Sequence, residues 1–326
     1  MEGTSGDSPV IDVRGLRRHF DVGRGRSRER TEAVDGIDFT VDAGERLAFI
    51  GPNGAGKSTS IKMLTGLLKP SGGYAQVLGL VPWESRRSLA LRIGLLFGQQ
   101  SQLWNELPVE DSLAMLGAIY GLSDIESTER MAELGEILDA KDLMGLPLRT
   151  MSLGQRMRCE LIAALLHQPR VLFLDEPTIG LDLLAKQAFR DLLVTLNHEH
   201  GTTIFLTSHD VADIEQLADR AIVVNHGSII YDAPVGQMRS ELLSTKLVEV
   251  SLQHSDHGET LIDGLGAEVK AQFVSALTVH IEVDTAITPV QTILERVFAL
   301  VTVVDLSVTD PPLEEVIGEI YRRPAG

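Results

Sequence analysis

Gly51-Pro52-Asn53-Gly54-Ala55-Gly56-Lys57-Ser58-Thr59 decides how the chain is read, because it matches G-x-x-x-x-G-K-[ST] in the setting that gives the pattern meaning. An apolar run at residues 47–50 precedes it, and a helical pattern carrying Ile61, Leu64 and Leu68 follows. Strand, glycine-rich turn and helix in that order form a cradle for phosphate. The glycines let backbone N–H groups converge on phosphate oxygens, and the positive end of the helix adds to the field. Lys57 brings a point charge for the β- and γ-phosphates, and Ser58 offers its hydroxyl to Mg²⁺.

Working outward, Val171-Leu172-Phe173-Leu174-Asp175-Glu176 is an apolar strand that ends in two acids. Such a strand delivers its acids at the carboxyl edge of a parallel sheet, where ligands bind. Asp175 suits the Mg²⁺ shell, and Glu176 suits the polarisation of an attacking water. Further apolar runs at residues 203–207 and 221–224 read as strands covered on both faces. Between residues 107 and 145 the pattern turns helical, with Leu113, Leu116 and Ile119 at helical spacing. These features predict an α/β domain of the P-loop NTPase type over residues 1–234, with a mainly parallel sheet and a helical insertion at about 100–165.

Residues 235–326 read as a small α+β accessory domain. Val248, Val250 and Leu252 alternate with polar residues, as do Leu277, Val279, Ile281 and Val283, and then Val304, Leu306 and Val308. Between the last two sets lies a helix with Thr288 as its expected N-cap, Pro289 in its first turn and Val290, Ile293, Leu294 and Val297 on one face. A final helix is expected after Asp310-Pro311-Pro312, carrying Leu313, Val316, Ile317 and Ile320.

Composition excludes several other classes. The chain has 46 acidic against 29 basic residues, a net charge of −17, and the acidity is spread over both parts. A backbone-neutralising partner of DNA or RNA needs concentrated Lys and Arg, so no nucleic-acid partner is expected. Apolar residues make up 44%, ample for a packed core. The longest apolar candidate, residues 297–304, is far shorter than the ~18 residues of a spanning helix. The acidic, glycine-bearing N-terminus does not have the form of a secretory leader. Cys159 is the one cysteine, so no internal disulfide forms, and a soluble chain in a reducing compartment is expected. One basic stretch, residues 23–30, stands against this background. It reads as a solvated hairpin loop, with contact to anionic lipid head groups as the sharper alternative.

Several further motifs, in order, resemble the nucleotide-binding subunit of ABC transporters over roughly residues 10–234. Met151-Ser152-Leu153-Gly154-Gln155 stands where that family has its LSGGQ signature, ahead of a helix. Ile179-Gly180-Leu181-Asp182 resembles the D-loop, and His209 in Leu206-Thr207-Ser208-His209-Asp210 resembles the switch histidine. Gln99 in Phe97-Gly98-Gln99-Gln100 matches the Q-loop glutamine, with Gln100 as the neighbour able to take its place. Phe20 is the candidate to stack on adenine, with His19 the alternative and a core role the plain one.

The resemblance implies a head-to-tail pair, a homodimer or pseudo-dimer, in which each ATP lies between one copy's phosphate loop and the other's signature. Ser152, Gly154 and Gln155 would then complete the γ-phosphate site, Asp182 would act across the pair, and His209 would clamp the γ-phosphate. Gln99 would touch Mg²⁺ and the attacking water and report nucleotide state to a membrane permease. ATP, Mg²⁺, an integral membrane permease and a place on the cytoplasmic membrane face follow as expectations. Residues 97–108 and 152–169 are similar to those of bacterial drug and viologen-type exporter ATPases. Soluble mechanical ATPases of the same family are the alternative. Plain readings stay open beside these roles: Ser152 is also a good helix N-cap, and His209 by itself is a surface or core histidine. Leu153, where most of the family has glycine, would clash with bound phosphate unless it points away into the subunit interior.

Overall fold

A computed structural model of the chain describes residues 8–22, 29–97, 101–208, 210–242, 245–254, 257–266, 269–285, 287–309, 317–318 and 320–321. Gln99, Gln100, His209, most of the basic stretch at 23–30, and the start of the last expected helix lie outside the described residues. The chain divides into two compact units, Met1–Ala233 and Pro234–Gly326.

The first unit opens with β1 (Ile11–Val22), β2 (Glu29–Val41) and β3 (Arg46–Ile50), followed by α1 (Lys57–Leu64), β4 (Gly72–Val77), α2 (Arg86–Ala90) and β5 (Ile93–Phe97). Helices α3 (Val109–Tyr120), α4 (Asp124–Ile137) and α5 (Leu153–Leu165) form the helical insertion. The chain then alternates β6 (Val171–Asp175), α6 (Leu183–His200), β7 (Thr203–Ser208), α7 (Val211–Leu217), β8 (Arg220–Asn225) and β9 (Ser228–Pro234). A six-stranded sheet has the order β5-β6-β7-β3-β8-β9, with β5, β6, β7, β3 and β8 parallel in succession. These strands are buried at nearly every position, which is why they read as unbroken apolar runs.

A second, antiparallel sheet has the order β2-β1-β4. Phe39 of β2 packs its ring 5.7 Å from Phe49 of β3 and 6.1 Å from Phe205 of β7, so a cluster of tilted aromatics joins the two sheets. In the insertion, Leu113 and Leu116 are buried, but Ile119 is 64% exposed. The buried stripe of α3 runs through Val109, Leu113 and Leu116, and Ile119 falls off its edge at 100° per residue.

The second unit comprises α8 (Val235–Leu242), β10 (Thr245–Leu252), α9 (His257–Leu265), β11 (Lys270–Ser275), β12 (Thr278–Asp284), α10 (Val290–Leu300) and β13 (Val303–Thr309). Its four strands are antiparallel in the order β11-β12-β10-β13. From β10 to β13 this is a β-α-β-β-α-β split arrangement. Val248, Val250, Val279, Ile281, Val283, Ile293 and Val297 share one core with Leu261 and Leu265.

Three details differ from the expectation. Leu277 sits in the β11–β12 turn and is exposed. Val304 lies at a register shift between the pairs Ser251↔Asp305 and Leu252↔Val303, so a bulge pushes it outward and breaks the alternation. Pro289, not Thr288, takes the N-cap position of α10, while Thr288 is buried and its N–H donates to the Asp284 carbonyl.

Candidate active site

Parallel register brings the ends of distant segments to one sheet edge. Ile50 pairs with Ser208 across β3–β7, while Asp175 pairs with Thr207 on one side and Phe97 on the other. The loop after β3, the two acids and Ser208 therefore meet at the carboxyl ends of the central strands. Two loop glycines have a packing reason. A Cβ at Gly51 would lie 2.5 Å from the Val224 carbonyl oxygen, and one at Gly56 would lie 2.3 Å from that of Ala33. Gly56 is also left-handed, at φ +106°, as it passes into α1.

Lys57, 6% exposed, donates from Nζ to the Gly51 carbonyl at 2.6 Å and lies 3.4 Å from Glu176 Oε1. Ser58 Oγ donates to Asp175 Oδ1 at 3.0 Å, and Thr207 Oγ1 donates to the same oxygen at 2.7 Å. Glu176 adopts φ +52°, a costly conformation for a residue with a side chain. Its N–H is held at 3.1 Å by both the carbonyl oxygen and the hydroxyl of Thr207. Pro52, Asn53, Gly54, Gly56, Lys57, Ser58, Thr59, Asp175 and Glu176 line one cleft of about 630 Å³, joined by Ala33, Lys62, Phe97 and Ile179. Ser58 and Asp175 present a hydroxyl and a carboxylate oxygen side by side in it. That all-oxygen set fits Mg²⁺, which takes one or two protein ligands and completes its shell with phosphate and water.

Other expected residues sit elsewhere in the same chain. Ser152, Gly154, Gln155 and Asp182 do not line this cleft. Ser152 caps α5 in a reciprocal box: its hydroxyl accepts from the Gln155 N–H, and Gln155 Oε1 accepts from the Ser152 N–H at 2.9 Å. Asp182 caps α6 by accepting from the Ala185 N–H at 2.9 Å. Leu153 is 43% exposed and does not enter the interior. It lies across Gly180, where a Cβ would come 2.6 Å from Leu153 Cδ2. Phe20 also lies outside the cleft lining, under the Arg18 guanidinium 4.5 Å from its ring centroid. His19 Nδ1 accepts from Arg30 Nη2 at 2.7 Å.

Residue-by-residue reading missed Ala33, Lys62 and Ile179 in the cleft wall, and Thr207 as the holder of Asp175. Thr207 carried a usable signal, since a polar residue at the end of an apolar parallel strand faces the ligand edge. Glu160 of α5 was missed as well. It is buried, accepting from the Ser101 hydroxyl and from the Gln102 N–H at 2.9 Å, which pins the stretch just after residues 98–100 to the signature helix. Burial pushes its carboxyl above the ordinary value of 4.5, against the pull of those donors. Below pH 4.5 the group is protonated in folded and unfolded chains alike. As pH rises through the folded value, the unfolded chain gains more from ionisation, so this group's contribution to stability declines. Relative to wild type, the melting temperature of Glu160→Gln is therefore expected to climb as pH rises above 4.5, until the buried carboxyl has ionised in the folded chain as well. A difference that stays flat or shrinks over that range contradicts the burial argument. Cys159, also on α5, is pushed up to about 12 by burial and presents no reactive thiolate.

The sequence model of the family described as ABC transporter matches residues 34–179. The daunorubicin/doxorubicin resistance ATP-binding protein DrrA of Streptomyces peucetius is 39% identical over 217 residues, spanning 67% of this chain and 65% of its own length. The ABC transporter ATP-binding protein NatA of Bacillus subtilis is 32% identical over 61% of this chain and 81% of its own. A fluoroquinolones export ATP-binding protein of Mycobacterium tuberculosis is 36% identical over 69% of this chain and 71% of its own. Among solved structures, cbiO1 of Clostridium perfringens, part of an ABC transporter complex, matches with a TM-score of 0.62 at 27% identity, covering 72% of this chain and 92% of that one. A dimeric ATP-binding cassette bound to ADP and phosphate shares the fold, with a TM-score of 0.63 at 23% identity over 69% of this chain and 98% of its own. The chain belongs to the ABC transporter family, as an ATP-binding chain of the P-loop NTPase fold.

Proposed function

We propose that this chain is the ATP-hydrolysing subunit of an exporter whose membrane path is a separate permease. One observation carries the reading: Lys57, Ser58, Asp175 and Glu176 converge on one cleft, while Ser152 and Gly154 of the same chain lie outside it. A signature that cannot serve its own phosphate loop suits service to another copy's. Two chains in head-to-tail contact would then form two complete sites. Backbone N–H groups of residues 51–59 and Lys57 would bind the β- and γ-phosphates. Ser58 and Asp175 would hold Mg²⁺, which when bound neutralises developing phosphate charge.

Glu176 would take a proton from the attacking water as its oxygen bonds to the γ-phosphorus and the bridging oxygen departs with ADP. From the partner copy, Ser152, the Gly154 N–H, Gln155 and the positive end of α5 would close the site, with Asp182 acting across the contact. Gln99 would join the Mg²⁺ shell and the water, His209 would clamp the γ-phosphate, and Phe20 would stack on adenine. Among the described residues no helix is long and apolar enough to cross a membrane, which suits a peripheral subunit at the cytoplasmic face. Residues 1–234 would form the ATP-binding domain and 235–326 an accessory domain. Export as the direction rests on the drug-resistance and fluoroquinolone-export relatives.

Turnover per subunit is expected to rise with subunit concentration at saturating ATP and to vanish on dilution to single chains. A preparation held strictly single by light scattering that still hydrolyses ATP at full rate would refute the shared-site reading.

A further inference from the structure

Behind the cleft lies a buried polar cluster that the proposed reaction does not use. Asp213, on α7, is 0% exposed, and every donor it meets comes from another part of the chain. Its Oδ1 accepts from Arg190 Nε of α6 at 2.7 Å. Its Oδ2 accepts from the Thr178 hydroxyl at 2.5 Å and from the Ser208 hydroxyl at 2.9 Å. Arg190 is 3% exposed, Thr178 2% and Ser208 0%, so the cluster is closed to solvent. Beside it, Asp210 receives Lys186 Nζ, and its carboxylate accepts from the Ala212 N–H at 3.0 Å.

A buried ion pair is a poor device for stability, since desolvation offsets most of the attraction. Its geometry is more informative. Thr178 lies two residues beyond Glu176, and Ser208 follows Thr207, the residue that holds both Asp175 Oδ1 and the Glu176 N–H. One carboxylate thus ties together the chain leaving Glu176 and the strand end that supports it. Glu176 needs such support because its φ of +52° persists only where neighbouring contacts over-determine it.

We propose that Asp213, charge-paired with Arg190, is a positioning residue that keeps Glu176 aimed into the phosphate cleft by anchoring Thr178 and Ser208. It touches no reacting atom and acts through the backbone of the 176–178 turn. The idea rests on the role of Glu176 given above, and the experiment separates the two.

Thr178→Val removes the hydroxyl at nearly constant volume, and Thr178→Ser keeps it. Steady-state hydrolysis by the full chain is measured with Mg²⁺, alongside equilibrium ATP binding. A misaimed base is expected to lower kcat by about 10- to 100-fold in Thr178→Val while KM and ATP affinity stay within about twofold of wild type. Thr178→Ser is expected to restore kcat to within about threefold of wild type. In a Glu176→Gln background, Thr178→Val is expected to cost nothing further, because residues acting as one unit are not additive.

Unchanged kcat in Thr178→Val, an equal loss of ATP affinity, no rescue by serine, or multiplying losses in the double variant would each overturn the proposal. If Thr178→Val does not fold, Ser208→Ala removes the other donor to the same oxygen and must show the same split. Wild-type turnover by Glu176→Gln would instead refute the role of Glu176 itself, whereas an inactive Glu176→Gln beside a fully active Thr178→Val refutes only the anchoring.

Discussion

Glu176→Gln is expected to bind ATP with near-normal affinity and to lose turnover by about 10²- to 10⁴-fold, the usual worth of a positioned general base. The substitution keeps the shape of the side chain and removes its proton acceptor. The cradle's hydrogen bonds stay in place: Lys57 keeps its 2.6 Å bond to the Gly51 carbonyl, and Ser58 and Asp175 keep theirs. The amide replaces the carboxylate 3.4 Å from Lys57 without taking a bond from the loop. Bound ATP that is not cleaved should hold two copies closed, because in the proposed shared site each nucleotide would contact both. Gel filtration with MgATP is expected to show a long-lived dimer of Glu176→Gln that wild type shows only in passing. A variant that hydrolyses ATP normally, or that stays monomeric with ATP bound, removes the assigned role.

Lys57→Ala is expected to fail earlier, at binding. Lys57 is 6% exposed at the floor of the cleft, so its charge acts on phosphate with little screening by water. A charge-assisted hydrogen bond to a charged group is worth about 1.5–3 kcal/mol. Losing one such bond weakens ATP affinity about 10- to 100-fold, with a larger loss if both the β- and γ-phosphates are served. Calorimetric titration of ATP into wild type and variant reads this directly. AMP, which has no β- or γ-phosphate, should show little difference between the two. Equal loss for AMP and ATP would mean that the substitution had disturbed the loop, whose Gly51 carbonyl Lys57 also holds.

The parts legible beforehand share a physical cause. Strands β3, β6, β7 and β8 are covered on both faces, so their sequences carry unbroken apolar runs that need no partner to be recognised. Helix α10 shows its buried face as Ile293 and Val297 at helical spacing. Elements that escaped reading carry weaker local signals. β11 is largely exposed along its length, and α9 contains Gly258 and Gly264, poor helix formers that its packing tolerates. β1, β2 and β4 form an antiparallel sheet whose register shifts break the period-two pattern.

The candidate site divides along the same line. Residues 51–59 and the pair Asp175 and Glu176 were readable because a phosphate cradle and a strand-end acid are contiguous structures, specified by the order of neighbouring residues. Leu153 could be flagged as unusual, but its resting place over Gly180 could not, since that contact joins segments far apart in the chain.

The amino-acid order alone carries the phosphate-loop pattern, the change of pattern near residue 234 and the class of nucleotide-using protein. Folding decided the rest: that Thr207 braces Asp175, that Ala33 walls the cleft and forbids a side chain at Gly56, and that Asp213 gathers Arg190, Thr178 and Ser208. Local chemistry can be written into adjacent residues. A hydrogen bond between strand ends exists only once sheet register and burial have brought them within about 3 Å, and no short stretch of sequence encodes that distance.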